Sequence, residues 1–146
     1  MAGHSIGDNA TATTMAADHR VRAGVDMDGT FFDPVPAGGL GGRPFLLLGT
    51  TSYHHPGGED DGWTRLDDWK RWLTVTDSGH FTFTDVPALA GQLGMVDPEA
   101  PLSGERSMRI TRDYVAAFFD LHLRGTPQPL LDGPTPDNPE VGFQQP

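Results

Sequence analysis

The sequence predicts an α/β fold of about three parallel strands with flanking helices. Short apolar or alternating runs recur between longer stretches with helical spacing. Strands that alternate with helices pair in parallel, because each helix carries the chain back to the same end of the sheet. The length of 146 residues suits one such domain with a modest core.

The elements follow in chain order. Residues 6 to 17 are small and helix-tolerant, with the helical tendency diluted by three threonines. Val21, Ala23, Val25 and Met27 alternate with more polar residues, the period of a strand over 21–27. A Gly/Pro-rich loop spans 29–42. The run Pro44-Phe45-Leu46-Leu47-Leu48-Gly49 is continuously apolar and short, as in a strand buried on both faces. After a polar loop, Trp63, Leu66 and Trp69 fall on one face of an expected helix over 63–71. A third strand is expected over 72–76 and a short helix over 85–93. The strongest helical rhythm is Ile110, Tyr114, Ala117, Phe118 and Leu121 within 107–123, and Gly125 stands where a helix-terminating glycine belongs. The domain is therefore read as 1–125, with a Pro/Asp/Gly-rich extended tail over 126–146.

Composition narrows the function classes. Ten Lys and Arg against 20 Asp and Glu give a net charge of −10. Nucleic-acid phosphates need clustered cations, so a nucleic-acid partner is not expected. No apolar run reaches the length of a membrane-spanning helix. The absence of Cys removes disulfides, Cys-ligated zinc, iron–sulfur clusters and a thiol nucleophile. No basic and apolar leader precedes the first motif, and secreted and cytoplasmic locations both stay open.

Gly3-His4-Ser5-Ile6-Gly7 is a complete G-x-S-x-G. In a nucleophile elbow the serine sits on a tight strand-to-helix turn. The glycines let the backbone pass close by, and the next backbone N–H, here that of Ile6, faces the developing oxyanion. A serine hydroxyl needs a general base oriented by an acid, and the elbow predicts the order Ser, acid, His. Among six histidines, His80 follows the third strand within Ser78-Gly79-His80-Phe81, where a base-bearing loop belongs. His4 precedes the serine, His19 lies at a helix end, His54 and His55 lie in a polar loop, and His122 lies off the apolar stripe of the last helix. For the acid, Asp26 and Asp28 share a face of the first strand, with Asp28 at the rim where α/β sheets place their sites. Glu59, Asp60 and Asp61 are the other candidates, and read better as a solvated loop.

Four stretches together resemble the C-terminal half of bacterial serine esterases of the platelet-activating factor acetylhydrolase and lipase type, in the α/β-hydrolase superfamily. They are 3–7, the run 18–30 that ends Val25-Asp26-Met27-Asp28-Gly29-Thr30, the run Arg43-Pro44-Phe45-Leu46-Leu47-Leu48-Gly49, and 78–85 around His80. The resemblance implies Ser5 as nucleophile, Asp28 as acid, His80 as base and the Ile6 N–H as one oxyanion donor. It implies two-step hydrolysis of a small-molecule ester or lipid through an acyl-enzyme, with no metal or organic cofactor. Asp8-Asn9-Ala10 departs from the small residues expected after the elbow. The resemblance also implies that N-terminal strands, the strand feeding the elbow and the loop with a second oxyanion donor are missing. A complementing N-terminal half would then be a partner, and the isolated chain would be weakly active at best. Two other readings compete: a truncated, catalytically inactive α/β-hydrolase remnant, and a metal module built on His54, His55, Glu59, Asp60 and Asp61, which has no recognised ligand spacing. Aromatic residues over 63–72 and 81–83 are candidate pocket walls, though such residues more often serve the core.

Overall fold

A computed structural model describes residues 1–29, 31, 35–52 and 62–144, with Asp8 described in its backbone alone. Its sheet has five strands in the order β1-β2-β3-β4-β5. They are β1 Ala2–His4, β2 Gly24–Met27, β3 Phe45–Thr50, β4 Lys70–Val75 and β5 Val141–Gln144. The first four pair in parallel, and β5 joins β4 antiparallel. The helices are α1 Ile6–Ala17, α2 Gly62–Arg65, α3 Val86–Gln92 and α4 Gly104–Arg124.

The central strand β3 is buried along its whole length. Its side chains alternate between two cores. Leu46 and Leu48 meet Ile110, Tyr114, Ala117 and Phe118 of α4 on one face. Phe45 and Leu47 meet Ala12 and Met15 of α1 on the other. Fully burying a side chain of this size contributes roughly 1.5–3 kcal/mol, so an all-apolar strand is stable only where both faces are covered. Gly24 in β2 is required by that packing. A Cβ there would lie 2.4 Å from Met15 Sδ and 2.6 Å from the Phe45 ring.

Helix α1 carries its threonines by bonding them back along the helix: Thr11 Oγ1 donates to the Gly7 carbonyl and Thr13 Oγ1 to the Asn9 carbonyl, at 3.1 and 2.8 Å. Helix α4 starts three residues before the expected 107. Ser103 caps it, accepting from the Arg106 N–H at 3.2 Å, and Gly125 ends it in the left-handed region at φ 69°.

Three expectations need correction. The sequence reading had three strands and none leading into Ser5. The structure has a short β1 there, whose Gly3 lies opposite Asp26 of β2. Three residues are too few for a period to show, and pairing with β2 makes them a strand. The helix expected over 63–71 stops at Arg65, and β4 begins at Lys70. Lys70 Nζ donates to the carbonyls of Trp63 and Leu66, closing that helical turn at 2.7 and 2.8 Å. Within the segment expected as an extended tail, 129–131 forms a 3₁₀ turn and Val141–Gln144 becomes the edge strand.

Strand β5 is held by charge as well as by the ladder. Arg106 Nε donates to Glu140 Oε1 at 2.8 Å and Nη2 to Oε2 at 2.7 Å. Nη2 also reaches the Asn138 side-chain oxygen at 2.9 Å. These bonds hold the Glu140 carboxyl below the usual glutamate range. A depressed carboxyl contributes stability above its unfolded value, about 4.3, and loses it as pH falls through the folded value. Glu140→Gln should therefore lower stability by about 1–3 kcal/mol at pH 7. The melting-temperature gap to wild type should hold down to about pH 5 and close below about pH 4. An equal gap at pH 3 and pH 7 would contradict this assignment.

Candidate functional site

Parallel pairing brings the C-terminal ends of β1, β2 and β3 to one rim, and the sequence-derived site residues meet there. Ser5 lies between β1 and α1 at φ 57°, ψ −125°, a conformation that non-glycine residues rarely hold. Its N–H donates to the Met27 carbonyl at 3.0 Å. It occupies the cap position of α1, yet its hydroxyl makes no capping bond, so Oγ stays available. The Ile6 N–H belongs to the first turn of α1, where no helical carbonyl can accept it. The Ile6 side chain is exposed.

Asp28 follows β2 and also has a positive φ, 52°. Strand alternation therefore ends at Met27, and the shared face expected for Asp26 and Asp28 does not decide their roles. Asp28 is fixed from three sides. Its N–H donates to the Leu48 carbonyl at 3.0 Å, its Oδ1 accepts the Thr50 N–H at 2.8 Å, and its Oδ2 lies 2.7 Å from His80 Nδ1. Asp26 is buried, and its Oδ1 accepts the Gly29 N–H at 2.8 Å, closing the turn that delivers Asp28. One aspartate faces His80 and the other shapes the turn. Glu59, Asp60, Asp61, His54 and His55 lie outside the described residues.

His80 opens a 3₁₀ turn, His80–Phe83, held by Gly79 N–H donating to Thr82 Oγ1 at 2.8 Å. A carboxylate only accepts, so the 2.7 Å contact calls for a proton on His80 Nδ1, and in the neutral ring that tautomer keeps the lone pair on Nε2. The His80 side chain is 44% exposed and that of Asp28 9%. The bond thus has one wet end and one dry end. Among the described residues no hydrogen bond joins Ser5 Oγ to His80. Such contacts are commonly long before substrate binds.

A cavity of about 230 Å³ adjoins His80, lined mainly by apolar groups that include Phe81, Val86, Ala90, Met95 and Val96. Phe81 stands edge-on to the His80 ring at 5.4 Å. Phe83 is buried in the core, as are Leu66 and Trp72, while Trp69 packs against Phe118 at 5.6 Å. Trp72 is thus core and Trp69 packs against the core, while the partly buried Trp63 lines a separate cavity with Lys70 and Arg71, away from His80. His122, read from sequence as lying off the apolar stripe, packs against Trp69 at 4.4 Å and Phe118 at 4.9 Å. Burial there pushes its pKa down.

Sequence reasoning set His4 aside, but the structure places it in the site, its Nε2 2.7 Å from the His80 carbonyl. The signal was present in the sequence, since this residue directly precedes Ser5. Gly7 is a second difference. A Cβ there meets nothing within 4 Å, so no close backbone approach requires this glycine. Among the described residues no group of three or more His, Cys, Asp or Glu could hold a metal ion, and no helix is long and apolar enough to cross a membrane.

The Ser5 conformation makes a test. With φ 57° and ψ −125°, glycine is unstrained where serine is strained. Ser5→Gly forfeits no capping bond, so it should stabilise the fold by about 1 kcal/mol, raising Tm by about 2–4 °C. A lower Tm in calorimetry would contradict the strain.

No family profile matches the chain. It is 33% identical to a probable 1-alkyl-2-acetylglycerophosphocholine esterase from Arthroderma benhamiae, across 98% of this chain and 42% of that protein. The solved structure of a ferulic acid esterase from Streptomyces cinnamoneus is 45% identical and superposes with a TM-score of 0.86, across 99% of this chain and 46% of that one. The chain thus spans under half the length of each relative. Its mostly parallel sheet with flanking helices and its likeness to the ferulic acid esterase agree: the chain has the fold of part of an α/β hydrolase.

Proposed function

We propose that this chain carries the Ser-Asp-His machinery of a carboxylic ester hydrolase that works through an acyl-enzyme. The observation that carries the reading is the 2.7 Å bond between Asp28 Oδ2 and His80 Nδ1. It leaves Nε2 as the proton acceptor on the same rim as Ser5, whose turn is a nucleophile elbow. Ser5 Oγ attacks the ester carbonyl carbon while its proton passes to His80 Nε2. The tetrahedral oxygen takes the Ile6 N–H, and collapse expels the alcohol, which leaves with that proton. Water then attacks the acyl-serine, giving one proton to His80, and the acid departs as Ser5 regains its hydrogen. Asp28 stays ionised throughout and stabilises the imidazolium.

One named relative acts on an acetylglycerophosphocholine and the other on a ferulic acid ester. A carboxylic ester bond is what those chemistries share. For this chain we place the apolar part of such an ester in the cavity beside His80. The two similarities to esterases support this over an inactive remnant.

The test is intact-mass spectrometry after treatment with a fluorophosphonate. One adduct is expected on wild type and none on Ser5→Ala. Labelling of Asp28→Asn and His80→Ala should be slower by up to about 10⁴-fold, the cost of a wrong tautomer or a missing base. A folded wild type that takes no adduct, or one that labels equally without His80, would overturn the proposal.

A further inference from the structure

We infer that His4 is a positioning residue that ties the serine-bearing turn to His80. The inference rests on the proposed esterase reading. His4 Nε2 lies 2.7 Å from the His80 carbonyl, and a carbonyl only accepts, so Nε2–H is the donor. The bond closes 76 residues of chain in a single step. The two imidazole rings also lie 4.7 Å apart at a 37° tilt, and Phe81 stands 6.4 Å from the His4 ring. His4 therefore touches His80 twice, once on its backbone and once on its ring face. Its Cα is one peptide unit, about 3.8 Å, from that of Ser5.

This contact meets a specific need. His80 is half-exposed and sits on a short 3₁₀ turn, while Asp28 grips only Nδ1. A single hydrogen bond leaves the ring free to swing about the Nδ1–Oδ2 axis. The hydrogen bond from the residue beside Ser5 fixes the His80 main chain and so restricts that swing, with the ring contact a lesser addition. Misplacement by about 1 Å can cost about 100-fold in rate, so a strut of this kind acts on the chemical step rather than on binding.

Two variants separate the contacts. His4→Gln keeps an N–H donor of similar reach and loses the ring. His4→Phe keeps a ring and loses the donor. If the hydrogen bond positions His80, His4→Phe should lower the maximal rate of fluorophosphonate labelling of Ser5 by about tenfold. The probe concentration for half-maximal rate should be unchanged, and His4→Gln should stay within about threefold of wild type. Should His4→Phe fail to fold by circular dichroism, His4→Asn replaces it, since its shorter amide falls short of the His80 carbonyl. Equal rates for all variants would overturn the inference, and so would equal loss in the Gln and Phe variants. If wild type takes no label, the esterase reading fails, and the His80 Nδ1–H resonance in NMR decides the strut alone. Faster solvent exchange of that proton in His4→Phe than in His4→Gln supports it, and no difference overturns it.

Discussion

The site depends on the backbone of β3, the strand that water does not reach. The Leu48 carbonyl receives the Asp28 N–H, and the Thr50 N–H donates to the Asp28 carboxylate. One strand thus grips Asp28 at both its main chain and its side chain. Because Leu46 to Leu48 are packed on both faces, that grip cannot drift without opening two cores at once. The stability of the fold and the aim of the carboxylate are the same physical fact.

The same rim also stores strain. Among the described residues Ser5, Asp28 and Asp77 are the non-glycine positions with positive φ, and two of the three lie at the rim. Such conformations persist only where surrounding bonds over-determine them. Here the Ser5 N–H bond to Met27 and the pairing of β1 with β2 supply that constraint. The serine hydroxyl is then held out of the helix cap, where an ordinary serine would bond a helical N–H.

Much of this was legible in the sequence, and the gaps have physical reasons. β3 was legible because a short, wholly apolar run has one stable environment. α4 was legible because a 3.6-residue rhythm ends on Gly125. Motif, order and resemblance singled out Ser5, Asp28 and His80, of which the structure joins Asp28 to His80, whereas periodicity alone left Asp26 beside Asp28. It could not foresee that a left-handed residue would break the alternation. β1 and β5 were not legible, since their strands form through partners far along the chain, Met27 for one and Thr74 for the other. Gln144 Nε2 donating to Thr74 Oγ1 at 2.8 Å leaves no local pattern. His4 was missed because sequence reasoning asked whether it could reach Ser5, while its partner is a backbone carbonyl 76 residues away.

The central claim is that Asp28 sets the tautomer of His80, and it can be measured without any substrate. A long-range proton–nitrogen correlation spectrum of the folded chain at about pH 8 reports which ring nitrogen carries the proton. The account predicts a neutral His80 protonated on Nδ1, with Nε2 bare, and loss of that preference in Asp28→Asn. A wild-type His80 protonated on Nε2, or one whose tautomer ignores the Asp28 substitution, would contradict it.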